Sequence, residues 1–190
     1  MAKSRKLPDV LTIDEQKQLL EVFDLRYHSG RKNRLMVELM LTIGLRVSEI
    51  CKLKWQDIRW REGKILIKQG KGEKDRNLFL PESLIERLKN YKDEFEDLKD
   101  SSFIFQTRTG KAIDRSTLNA LVKKYAVKAG ISKNVYNHLL RHTALTDLYS
   151  NTKDIRKVQA IAGHASIQTT QIYTHISAED IKDTLIKEKY

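Results

Sequence analysis

The 190-residue chain is sized for one hydrophobic core, and 40% hydrophobic with 32% charged residues is a globular composition that excludes global disorder. It has no apolar run of the roughly eighteen residues a membrane span needs, and the opening MAKSRKLPDV lacks a secretory apolar region, so neither spanning nor export is expected. A single cysteine, Cys51, excludes an internal disulfide framework and any cysteine-cluster metal site, fitting a reducing cytoplasm, while a net charge of +11 favours a polyanionic partner.

After Pro8, Thr12 and Glu15 form a capping-box pattern that predicts a helix from Thr12 to about Leu25, with Leu19, Leu20 and Phe23 on one face. Leu35, Met36, Leu39, Met40 and Ile43 predict a second helix, ended by Gly44, and Val47 opens a short third. Trp55 to Trp60 is a connection into strands. Lys64 to Lys68 and Asn77 to Leu80 form a hairpin whose intervening loop, Gln69 to Arg76, is basic. Pro81 opens an amphipathic helix from Ser83 to Leu98, and Phe103-Ile104-Phe105 is expected to add a strand before a turn at Thr109-Gly110. Asp114 caps a helix to about Ala129, closed by Gly130, and His138 to Tyr149 is another. Three shorter helices are expected over Asp154 to Ala162, Ile167 to Tyr173 and Ala178 to Lys187, the last capped by Ser177. The predicted fold is α+β, mostly α, with a small antiparallel β-sheet.

Charge is uneven. Arg26, Arg31, Lys32 and Arg34 form a run without acids, whereas 91–100 is acidic, so one side is expected to face phosphate and another solvent. Four features bear on chemistry: Arg46 with Glu49, Lys71 on the hairpin, His138 with Arg141 and His142, and His164 followed by Tyr173. Singly each has an ordinary explanation, such as a surface ion pair, a solvated lysine or a structural tyrosine. His138 and His142 have i, i+4 zinc-ligand spacing, but Leu139 stands where a zinc hydrolase helix carries its general base and Arg141 would repel the ion.

In order, the strings TIGLRVSEICKLKWQDI, GKGEKDRNLFLP, HLLRHTALT and IAGHASIQTTQIYTH resemble the catalytic domain of the tyrosine recombinases, the phage-integrase family, over nearly the whole chain from Leu7. The resemblance implies that Arg46 and Arg141 clamp phosphate, that Lys71 is the hairpin lysine, that His138 and His164 are the paired histidines, and that Tyr173 is the nucleophile. Glu49 matches the acidic residue that orients the site. His142 and His175 belong to the motifs without a chemical role.

Those assignments are chemically coherent. A phenol with a pKa near ~10 needs a base or a cationic field to attack phosphorus. Guanidinium forks suit the charge of a pentacoordinate transition state. Lys71 can protonate the departing 5′ oxygen, and either His138 or His164 can accept the phenolic proton. The implied reaction cleaves and rejoins double-stranded DNA through a 3′-phosphotyrosine. It exchanges one phosphodiester for another, so no cofactor, metal or ATP is expected.

Residues 1–11 resemble the family's interdomain linker, and 12–190 the catalytic domain without the separate DNA-clamping domain of most members. This suggests either an excised catalytic domain or a short member, with weak, salt-sensitive DNA binding expected in both cases. Recombining two duplexes implies four protomers on DNA, a homotetramer, from a protein that can be monomeric when free. Ile181, Leu185 and Ile186 in the tail Ala178–Lys187 fit either packing on its own domain or, as is often so in relatives, docking on the neighbouring protomer. Two alternatives share much of this pattern: a DNA-binding module without catalysis, and a type IB topoisomerase, against which the compact GHASIQTTQIYTH string argues.

Overall fold

The computed structural model describes residues 9–68, 75–96, 98–164 and 169–170. Local sequence signals set most of its element boundaries. Thr12 Oγ1 accepts the Glu15 amide at 3.2 Å while Glu15 Oε2 accepts the Thr12 amide at 2.7 Å, and this reciprocal cap starts α1 (Ile13–Glu21). α2 (His28–Ile43) runs into Gly44, whose left-handed φ of 63° and ψ of 34° stop the helix. An added Cβ there would also lie 3.1 Å from Leu145 Cδ2, so both the backbone and its neighbour favour glycine. The reversal buries Leu45 and lets Arg46 open α3 (Val47–Lys52).

Trp55–Asp57 and Trp60–Glu62 are 3-10 turns flanking β1 (Ile58–Arg59). β1 pairs antiparallel with β2 (Lys64–Ile67), and β2 with β3 (Arg76–Phe79), giving a sheet of order β1-β2-β3 in which Ile67 faces Arg76. α4 (Glu82–Lys92) follows Pro81, α5 (Arg115–Lys128) is capped by the Asp114 carboxylate, and α6 (Asn137–Thr152) leads to α7 (Ile155–Ala162), capped by Asp154. α2 is the central helix: α6, α1, α3 and α4 all pack on it, and α5 closes over α3 and α6. Leu39, Met40, Leu45, Ile50, Leu118 and Leu140 meet in the shared core with no solvent exposure. This is the mostly helical α+β domain that the sequence implies. Among the described residues no helix is long and apolar enough to cross a membrane.

Three expectations need correction. Phe103 to Phe105 forms no strand: Phe103 makes one isolated bridge to Lys54, while Ile104 and Phe105 are both fully buried, so the segment lacks the in-out alternation of a strand. α4 stops at Lys92, well before Leu98. Its end turns Phe95 edge-on against Tyr91, with centroids 5.3 Å apart, and carries Glu94 to His28 and Arg31.

The third concerns charge. α2 begins at His28, so the basic run occupies its first turns, where the helix dipole disfavours cations. The Glu94 carboxylate receives Arg31 Nε and Nη2 at 2.5 and 2.9 Å, Arg26 pairs with Asp24 at 2.7 Å, and Arg34 approaches Glu38 at 4.0 Å. Through Arg31 and Glu94 the basic and acidic segments adjoin, so they do not lie on separate sides.

The helices expected over Ile167 to Tyr173 and Ala178 to Lys187 fall mainly or wholly outside the described residues. At the other end, Leu11 is buried and its amide donates to Thr143 Oγ1 at 3.0 Å, while Gln16 Nε2 donates to Asp147 Oδ2 at 2.9 Å. The entering chain is thus tied to α6, the helix that carries His138 and Arg141.

Candidate active site

Two helix starts and one helix end create the site. Arg46, the N-cap of α3, follows the Gly44 reversal, and Glu49 three residues later turns its carboxylate back toward it. Glu49 Oε2 accepts the Arg46 backbone amide at 2.8 Å, and Oε1 accepts Arg46 Nη1 at 3.0 Å. On α6, His138 and Arg141 are three residues apart and share a face of the first turns.

Arg141 is only 2% exposed although arginine is rarely buried without partners, and its contacts explain why. Nη1 donates to the Gly44 carbonyl, and Nη2 donates to the Ala162 carbonyl at 2.8 Å and to His164 Nε2 at 3.1 Å. It links the end of α2 to the end of α7.

The end of α7 is where the arginines converge. Carbonyls in a last helical turn lack partners within the helix, and its dipole favours cations there. Arg76 Nε donates to Ile161 O at 2.8 Å, Arg141 Nη2 to Ala162 O, and Arg46 Nη2 to Gly163 O at 3.0 Å. Three guanidiniums from three elements therefore bind three consecutive carbonyls. Gly163 then takes φ 62° and the chain turns into His164.

These contacts fix the form of His164. A guanidinium can only donate, so Nε2 must accept; the ring is neutral and Nδ1–H donates to Thr170 Oγ1, 3.1 Å away. Burial, with the charges of Arg141, Arg46 and Arg76, pushes its pKa down to about 4. His138 is lowered below the ordinary imidazole value by burial, then by Arg141 and Arg46. Burial alone would raise the Glu49 carboxyl, but hydrogen bonds and charge from Arg76 and Arg46 outweigh it and keep the pKa below the usual glutamate value. The centre thus holds a fixed carboxylate, guanidiniums and neutral imidazoles. Arg46, Ser48, Asn119, Tyr136, His138 and Arg141 line an open cleft of about 350 Å³ beside it.

Five of the seven residues to which the resemblance gives a role, Arg46, Glu49, His138, Arg141 and His164, belong to this one constellation. Lys71 and Tyr173 lie outside the described residues. The His138 and His142 rings meet edge to face with centroids 4.7 Å apart, and among the described residues no group of three or more His, Cys, Asp or Glu could hold a metal ion.

The phage integrase family model matches residues 9–180. The chain belongs to the phage integrase family. Tyrosine recombinase XerD of Staphylococcus epidermidis is 39% identical over 182 residues, covering 94% of this chain and 61% of the relative, and that of Staphylococcus saprophyticus is 38% identical with the same coverage. The chain therefore spans about three fifths of the length of these curated relatives. Among solved structures, the crystal structure of XerA recombinase matches with a TM-score of 0.81 and 33% identity over 98% of this chain and 67% of that one. XerH site-specific recombinase in a post-cleavage complex with palindromic difH substrate matches with a TM-score of 0.80 and 31% identity, covering all of this chain and 56% of XerH.

Within this family member, sequence patterning overlooked two groups. Patterning places Arg76 in the hairpin loop, although it lies two residues before buried Leu78 and so shares that residue's inward face of β3. That register was a legible sign of an inward arginine. Thr170, fully buried against His164, carried no such sign.

Proposed function

We propose that this phage integrase family member is a tyrosine-type site-specific recombinase, in which Tyr173 attacks a DNA phosphodiester to form a 3′-phosphotyrosine and a free 5′ hydroxyl. One observation supports the reading most: Arg46, Arg141 and neutral His138 line a single cleft, beside the α7 terminus that both arginines grip. Arg46 and Arg141 bind the nonbridging oxygens and stabilise the charge that builds in the transition state. His138 accepts the phenolic proton. His164 orients Arg141, because its Nε2 lone pair is already occupied by that guanidinium. Tyr173 Oη forms the new bond to phosphorus, the bond to the 5′ oxygen breaks, and that oxygen takes a proton from Lys71. In the second step a 5′ hydroxyl from the partner strand attacks the tyrosyl ester and releases Tyr173. Each step exchanges one phosphoester for another, so the energetics call for neither ATP nor metal.

XerH in its difH complex is DNA-bound, and this chain's +11 charge suits the same class of partner. Residues 1–11 act as a linker and 12–190 as the catalytic unit. Covalent trapping on a pool of nicked duplexes, without metal, tests the chemistry. The chain should give a protease-sensitive adduct on a denaturing gel, and Tyr173→Phe should give none while retaining DNA binding. An equal adduct from Tyr173→Phe would remove Tyr173 as the nucleophile. No adduct from either protein, with binding intact, would favour a DNA-binding module without catalysis.

Four protomers assemble on two recombining duplexes, and the tail 178–187 joins neighbours through Ile181, Leu185 and Ile186. An apolar groove of about 280 Å³ among Ile43, Leu78, Phe79, Leu145, Leu148 and Ile161 supports this, since Phe79 is 71% exposed. Deleting residues 177–190 should leave half-site binding intact and abolish cooperative assembly in a gel-shift titration. Unchanged cooperativity would exclude the tail as the joint.

A further inference from the structure

Arg76 belongs to none of the roles assigned above, yet it is as fully engaged as Arg141. Its side chain is 9% exposed at the start of β3. Nη1 and Nη2 donate to Glu49 Oε1 and Oε2 at 2.8 and 3.0 Å, and Nε donates to the Ile161 carbonyl at 2.8 Å. With the two bonds from Arg46, the Glu49 carboxylate accepts four hydrogen bonds, the number its lone pairs accommodate.

The charge balance gives this arrangement a purpose. Glu49 orients Arg46, but a carboxylate paired with one guanidinium cancels the positive charge that a phosphate clamp needs. With the carboxylate shared between Arg46 and Arg76, the group carries one net positive charge while Arg46 keeps its orienting contact. The Ile161 bond also ties the base of the hairpin to the α7 terminus that Arg46 and Arg141 grip.

We propose that Arg76 is a positioning residue for Arg46: its fork fixes Glu49 so that the carboxylate aims the Arg46 guanidinium without cancelling its charge at the scissile phosphate. This rests on Arg46 acting as a phosphate clamp, and the test separates the two ideas. Arg76→Lys keeps the charge and loses the fork; Arg76→Gln loses both. Single-turnover cleavage is measured on the duplex recovered by covalent trapping, with either an ordinary scissile phosphate or a methylphosphonate, in which a neutral methyl group replaces one nonbridging oxygen. Arg46→Ala is run alongside.

On ordinary DNA, Arg76→Gln should slow cleavage on the order of 10²-fold and Arg76→Lys about tenfold, an indirect share of what loss of a transition-state donor costs. On methylphosphonate DNA, which no longer needs that charge, each variant should approach the parent rate, as should Arg46→Ala. If Arg46→Ala is rescued by the neutral phosphate and both Arg76 variants stay as slow as on ordinary DNA, Arg76 is a structural residue and the proposal is overturned. If Arg46→Ala is not rescued, the clamp role of Arg46 fails and the proposal goes with it. Should Arg76→Gln not fold, Arg76→Lys carries the same comparison.

Discussion

Arg141→Lys should lower strand cleavage on the order of 10³-fold, and Arg141→Ala should in addition destabilise the fold by about 3–5 kcal/mol. The guanidinium is 2% exposed and bonds to acceptors on three segments: Gly44 O at the end of α2, Ala162 O at the end of α7, and His164 Nε2 beyond it. A lysine ammonium is a single point and cannot span this set while also presenting a planar fork to phosphate. With alanine, two carbonyls and an imidazole lose a charged donor, at about 1–3 kcal/mol for each buried group left unsatisfied. Urea unfolding measures the stability loss and single-turnover trapping the catalytic loss. A lysine variant that cleaves at the parent rate would show that the fork is not needed.

Gly44 shows how far sequence alone reaches into this site. Its place after the last apolar position of α2 marked a helix stop, and the same left-handed turn aims its carbonyl at Arg141 and delivers Arg46 to α3. Asp114 and the Thr12–Glu15 pair were legible for the same reason: a cap is satisfied by residues two or three positions away. The family strings went further, because they encode a grouping that propensity cannot supply.

What patterning could not supply depends on partners far along the chain. Arg31 and Glu94 are 63 positions apart, and their pairing ties the basic run to the acidic segment through a surface salt link. The three arginine contacts to Ile161, Ala162 and Gly163 were invisible for a related reason. Carbonyl acceptors carry no side-chain signature, so a helix end that gathers three arginines has the same sequence as one open to water.

Acidification should destabilise the fold before Glu49 and Glu94 titrate, because α6 and the α7 terminus hold histidines in the neutral form. Burial, then His138 and Arg141, pushes His142 down to about 4, and His164 also lies at about 4. Unfolded histidines protonate near about pH 6.5, so as pH falls below that value the unfolded chain takes up protons that the native state refuses. The stabilisation is complete above about pH 6.5 and is lost progressively toward pH 4. Both rings are only half-buried, which limits the effect to roughly 1 kcal/mol each by about pH 5.

Glu49 and Glu94 act lower in the range: held below the usual glutamate value, they add to the loss only once the pH reaches that region, while Asp147, raised by burial, opposes the loss. The interval from about pH 6.5 to 5 therefore separates the histidines from Glu49 and Glu94. Thermal melts across it should show Tm falling by several degrees, and His142→Gln, which cannot titrate and lies outside the proposed chemistry, should flatten the slope. A melting temperature constant over that interval would mean that these rings are as free to protonate in the folded protein as in the unfolded chain.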